Sequence, residues 1–225
     1  MGQAIGDVLP LAVGIALSPV PIIGVVVMLG TPRASANAPA FLLGWIIGLA
    51  IVGTVVLLIS GGANANDDSG PADWVSWLKI VLGALLIHFA FRQWRGRPRG
   101  DEHADLPKWM QAVDHFTPGR SIAMGIGLSA LNPKNLVLVV AAGAAIGQTG
   151  IDGADQAIAM AIFILVATLG PGIPVAIYFL MRDRSERILG ALEDWMAHNS
   201  AAIIAVICLL IAAKLIGDGI SGLTA

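Results

Sequence analysis

Lys134 is the residue with the most to explain. It carries an ammonium near the centre of a long apolar run, Arg120 to Ile146. A charge at that depth of a bilayer costs at least ~2.5 kcal/mol on insertion scales, and residues that bear the cost are as a rule functional. Asn132 and Asn135 flank it with amide donors and acceptors, and Pro133 lies between. All 15 acidic residues fall in connections or near the ends of apolar runs, so no carboxylate is expected beside Lys134. The residue is read as a binding or gating group; the plainer possibility is that it satisfies carbonyls exposed by a broken helix.

A second polar interruption matches the first. Ala16-Leu17-Ser18-Pro19 breaks the opening apolar run, and Ala130-Leu131-Asn132-Pro133 stands 114 residues later, about half the chain away. A proline inside a helix removes one backbone hydrogen bond and clashes with the preceding turn. Where the helix restarts, its first amides are unpaired and its dipole favours an anion. Ser18, Pro19, Pro21, Asn132, Pro133, Lys134 and Asn135 thus describe a small, net-positive pocket suited to a phosphate, sulfate or carboxylate group. In a third apolar run, Thr168, Gly170, Pro171, Gly172 and Pro174 are expected to unwind or bend the helix, as a hinge or as cavity lining. Gly44 and Gly48 read as a packing face. Lys79 and Lys214 snorkel from helix ends, Asp218 one turn on can pair with Lys214, and His88 is structural.

The helices that hold these groups are set by composition. Of 225 residues, 56% are hydrophobic and 12% charged, with a mean hydropathy of +0.81; soluble domains carry roughly 25% charged residues. At about 20 apolar residues per span, the chain divides into six transmembrane helices near 8–29, 39–60, 74–94, 120–146, 155–181 and 198–217. The expected fold is an all-α membrane protein of two inverted three-helix repeats, with helices 1 and 4 broken and helix 5 broken as well. Residues 1–91 form the first repeat, 92–119 a basic linker with a possible interfacial helix through Trp109, Val113 and Phe116, and 120–225 the second repeat. Two interrupted spans in corresponding places of two half-chains point to a transport site at the bilayer midplane.

Charge is sorted by connection. Arg33, then Arg92, Arg95, Arg97, Arg99, Lys108 and Arg120, then Arg182, Arg184 and Arg187 occupy alternate connections. The others carry Asp67, Asp68, Asp73, Asp152 and Asp155 without a basic residue. By the positive-inside rule both termini are extracytoplasmic, in a multi-pass protein of the plasma (cell inner) membrane. The first run lacks a basic leader and cleavage signal, so it reads as a retained helix. With the single cysteine, Cys208, no disulfide framework forms within one chain.

No P-loop, Gly-x-Ser-x-Gly, His-Glu-x-x-His or central acidic cluster occurs, so the chain reads as a non-enzyme with no cofactor, no metal and no nucleic-acid partner. Membrane lipids are the expected partners. A homodimer is permitted by small-residue faces, and the 92–120 loop could dock proteins of envelope-lipid synthesis or transport.

The run Leu9-Pro10-Leu11-Ala12, Ala16-Leu17-Ser18-Pro19-Val20-Pro21-Ile22-Ile23, Thr31-Pro32-Arg33-Ala34 and Phe41-Leu42-Leu43-Gly44-Trp45 resembles the actinobacterial GAP family, the glycopeptidolipid- and sulfolipid-1-addressing proteins. Leu131-Asn132-Pro133-Lys134-Asn135 is similar to that family's second signature and to the Asn-Pro-Lys stretch of the wider lysine exporter (LysE-type) superfamily. The resemblance implies an exporter or flippase-like carrier that moves a cell-envelope (glyco)lipid or its precursor outward, its anionic or polar headgroup held between the repeats. Two alternatives stand beside it: export of a small solute, amino acid or anion, and a non-transporting scaffold for envelope-lipid synthesis.

Overall fold

The computed structural model describes residues 1–64, 73–96, 116–181 and 184–224, and in these the chain is helical between short turns. The helices are α1 (Gly2–Ala16), α2 (Pro19–Leu29), α3 (Ala34–Asn64), α4 (Asp73–Arg95), α5 (Pro118–Ile126), α6 (Pro133–Gly147), α7 (Gly153–Met181) and α8 (Ser185–Thr224), with a π-helical turn, Gly127–Leu131, carrying α5 towards α6. Among the described residues α3, α4, α7 and α8 are each long and apolar enough to cross a membrane. α1 with α2, and α5 with α6, qualify only as pairs, bent by 50° and 67°. The chain is a multi-pass membrane protein with four candidate spans, or six if each bent pair counts as one. Of the basic linker only its ends are described; Trp109 and Val113 lie outside the described residues, while Phe116 is buried and its carbonyl accepts from Asn37 Nδ2 at 3.0 Å.

The membrane-facing surface is apolar, as the composition requires. Leu58, Leu165, Leu180 and Leu210 are exposed apolar side chains, as lipid-facing positions should be. On α4 the exposed Trp74 and Trp94 are 20 residues apart, about 30 Å at the helical rise, which is the thickness of a hydrocarbon core flanked by its aromatic belts.

Helices meet where glycine lets backbones touch. A Cβ on Gly44 would strike the Ile122 carbonyl, and one on Gly125 the Phe41 carbonyl, so α3 and α5 lie backbone to backbone. This is the packing role expected of Gly44 and Gly48. α1 lies against α7, and α4 against α8.

The expected break in the fifth span is overturned. α7 runs unbroken from Gly153 to Met181 with Pro171 and Pro174 inside it. Both prolines are buried, and Thr168 Oγ1 bonds the Ile164 carbonyl at 2.7 Å. Membrane helices carry proline without breaking where neighbouring helices cover the freed carbonyls, and Gly170 here packs directly on the backbone of Ala16. The Gly-Pro-Gly stretch serves close contact and does not unwind the helix.

α8 extends well beyond the expected 198–217. Its 40 residues measure about 60 Å. It is tied to the first bent pair at two heights. Met196 packs with Ile22 and Ile23 of α2. Eighteen residues on, Lys214 Nζ lies 3.4 Å from Asp7 of α1 and 2.6 Å from Asp218; the second pairing matches the sequence, whereas Asp7 joins from the far end of the chain.

Candidate functional site

The two breaks share one backbone geometry. Ser18 has φ −75° and ψ 114°, Asn132 has φ −69° and ψ 118°, and each hands on to a proline at the first position of the next helix. Extended backbone before proline is what sterics require, and proline is at home in a first helical turn. The side chains differ in use. Asn132 caps its own helix, its Oδ1 accepting from Lys134 N at 3.2 Å. Ser18 makes no cap; its hydroxyl donates to Asn135 Oδ1 at 2.9 Å, across 117 residues of sequence.

Each break also frees a carbonyl. The Ser18 amide, which in a continuing helix would bond Gly14, bonds Ile15 at 3.0 Å. Lys134 Nζ takes the vacated Gly14 carbonyl at 2.7 Å. In the second pair Leu128, also four residues ahead of its break, gives its carbonyl to Asn135 Nδ2 at 3.1 Å. One turn of α6 therefore serves both breaks. Gly14 packs tightly on α8 and α6: a Cβ there would meet the side-chain ends of Ile211 and Leu138, which would have to turn aside.

These residues surround a cavity of about 210 Å³, lined by Ser18, Pro19, Val20, Pro21, Asn132, Pro133 and Lys134, with Phe89 and Gln93 of α4 and Ile204 of α8. Lys134 is only 7% exposed, and no ion pair to it exists among the described residues, where Lys214 alone is salt-bridged. An ammonium has three donors, one of them committed to Gly14. Such a site, cationic and hydrogen-bonding at one end and apolar at Phe89 and Ile204, can hold a small anionic or polar group. With about 30 Å³ per water in the liquid, it has room for a tetrahedral oxyanion or a compact headgroup, not for a whole glycolipid.

Six of the seven residues expected from sequence line this cavity. Asn135, fully buried, stands behind it as the clamp between Ser18 and Leu128. Thr168, Gly170, Pro171, Gly172 and Pro174 do not line it; Gly170 supports the first break from behind through Ala16. Sequence reasoning missed Val20, Phe89, Gln93 and Ile204. Gln93 is the one with a signal: a neutral polar side chain beside two arginines at a helix end, one turn from Phe89.

Neither a curated protein nor a solved structure matches the chain. A family model does: that described as Sap, sulfolipid-1-addressing protein, over residues 8–221. The match takes in both breaks, the cavity and every helix that lines it, and the chain belongs to the sulfolipid-1-addressing protein family.

Proposed function

We infer that this protein is an exporter or flippase-like carrier for a cell-envelope lipid or lipid precursor, whose anionic or polar headgroup is held at Lys134. The carrying observation is the cavity itself, bordered by both helix breaks and holding a buried ammonium whose bonded partner among the described residues is a single carbonyl. Membership of a family named for addressing a sulfolipid supports a lipid cargo. On this reading the two halves are inverted three-helix repeats, as in transporters whose broken helices meet at the midplane. The reciprocal packing of α1 on α7 and of α5 on α3 supports that symmetry, as do the matched dihedral angles of Ser18 and Asn132. The basic end of α4, with Arg92 and Arg95, faces the cytoplasm, and the cavity lies in that half, beside Gln93.

Reconstitution in vesicles tests the proposal. A labelled anionic lipid should exchange between leaflets faster with the wild-type protein than with empty vesicles, and Lys134→Met should remove the difference while the protein still purifies as a monodisperse species. The cavity volume favours one second reading, export of a small anion or amino acid; radiolabelled solute uptake into inside-out vesicles, with no lipid exchange, would select it. Loss of neither activity on changing Lys134, with loss of function on deleting 97–115, would select the scaffold.

A further inference from the structure

The carrier reading leaves open how cargo reaches Lys134, and the packing of the walls answers it. α2 packs on α3, α7 and α8, and α4 on α6 and α8, yet among the described residues α2 and α4 share no substantial contact although both line the cavity. The gap between them has a polar interior and apolar posts. Inside are Lys134, Asn132, Ser18 and Gln93; at the edges stand Val20, Phe89 and Ile204, all half-buried. Next to Asn132, Leu131 is 77% exposed, and Pro133 is exposed on the other side. Broken backbone at membrane depth is tolerated only against protein or a polar cavity, so this rim borders the cavity mouth. On α4 the face that carries Phe89 and Gln93 continues through Arg92 at helical spacing, and Arg92 and Arg95 are exposed at its end. A site for a water-soluble ion has no use for apolar posts that run on into the lipid-facing surface; an amphiphile needs both.

We propose that the gap between α2 and α4 is a lateral doorway for an anionic amphiphile of the leaflet on the Arg92 side, which enters headgroup first to Lys134 and leaves its acyl chain lying past Phe89 and Leu131. The proposal rests on the carrier reading for its purpose, but on the geometry alone for its place. Gln93 is the specificity residue at the threshold: its amide passes an anion, and a carboxylate there would repel it and compete for Lys134.

Phosphatidylcholine nanodiscs that contain a few per cent of phosphatidic acid with a photoreactive acyl chain provide the test, using the full-length protein. Irradiation is expected to label Val20, Phe89 and Leu131 above the general lipid-facing surface at Leu58, Leu165 and Leu210. Photoreactive phosphatidylcholine should not do so. Gln93→Glu should lower the doorway labelling about tenfold, the scale of one charge-assisted contact, and Gln93→Asn should leave it. Should Gln93→Glu fail to fold, Phe89→Trp narrows the same gap and carries the same expectation. Uniform labelling of all lipid-facing positions, or doorway labelling indifferent to both variants, overturns the proposal. So does protection of Lys134 from amine modification by inorganic sulfate alone in discs where no lipid labels the doorway. Labelling at the doorway without exchange between leaflets keeps the doorway and sinks the carrier; exchange that persists when Val20→Cys and Gln93→Cys are bridged, on a Cys208→Ser background, does the reverse.

Discussion

The two breaks begin with nearly the same four residues and adopt nearly the same backbone, and they do different work. The first is buried at its polar residue and proline: Ser18 is 2% exposed and Pro19 is covered, with only Leu17 before them at the surface. The second is bent more sharply, comes after a π-helical turn, and lies at the rim, with Leu131 and Pro133 exposed. The residues just beyond each proline decide the outcome. Val20-Pro21 offers apolar surface, whereas Lys134-Asn135 supplies the donors that fill the freed carbonyls of both breaks. At the freed carbonyls the first break is thus a receptor and the second a supplier, and Ser18 returns one donor to Asn135. A repeated backbone motif fixes where the helices open; its immediate neighbours fix the chemistry.

The comparison can be broken at several strengths. The largest effect is expected from Gly170→Val, which drives a side chain into the Ala16 carbonyl that supports the first break. Overpacking costs about 1–3 kcal/mol where side chains can yield, and here backbone must move, so little folded protein should be recovered by size-exclusion chromatography. Asn135→Leu comes next. It strands the Leu128 carbonyl and the Ser18 hydroxyl, for a loss of about 2–3 kcal/mol in denaturant unfolding in micelles. Lys134→Met should abolish transport yet change stability by no more than about 1 kcal/mol, since the lost bond to Gly14 is offset by relief of a buried charge. Asymmetry between the breaks is then read from a double-mutant cycle. Ser18→Ala and Asn132→Ala should each cost about 1 kcal/mol, but only Ser18→Ala should be non-additive with Asn135→Leu. Smallest is Asp7→Asn: a partly exposed ion pair whose lysine keeps Asp218 is worth about 0.5 kcal/mol or less, and the effect should fade in high salt.

Much of the site is legible in the residues, because proline and buried charge are loud signals in an apolar background. Ser18-Pro19 and Asn132-Pro133 mark the helix ends, and Lys134 marks the cavity. α7 departs from its sequence reading for a reason that is general. Proline and glycine announce a missing donor and a missing side chain, but whether the helix breaks depends on what packs there, and Ala16 is 154 residues from Gly170 in sequence. The π turn has no signal in Gly127–Leu131, since its widening goes with the clamp at Leu128. Phe89 and Ile204 look like any lipid-facing positions until α2 is seen to leave α4 uncovered. Asp7 looks like a helix-end acid because its lysine lies 207 residues away.

The long final helix has a mechanical consequence. α8 holds α2 at Met196 and α1 at Lys214, two points about 27 Å apart along one continuous rod. The joint at Ser18 is therefore splinted: α1 and α2 cannot change their mutual angle unless α8 flexes or its contacts with them slip, including that of Ile211 at Gly14. Ile211 packs at Gly14 beside the joint, whereas the tie at Asp7 is ionic and partly exposed, so α1 should part from α8 first at its Asp7 end.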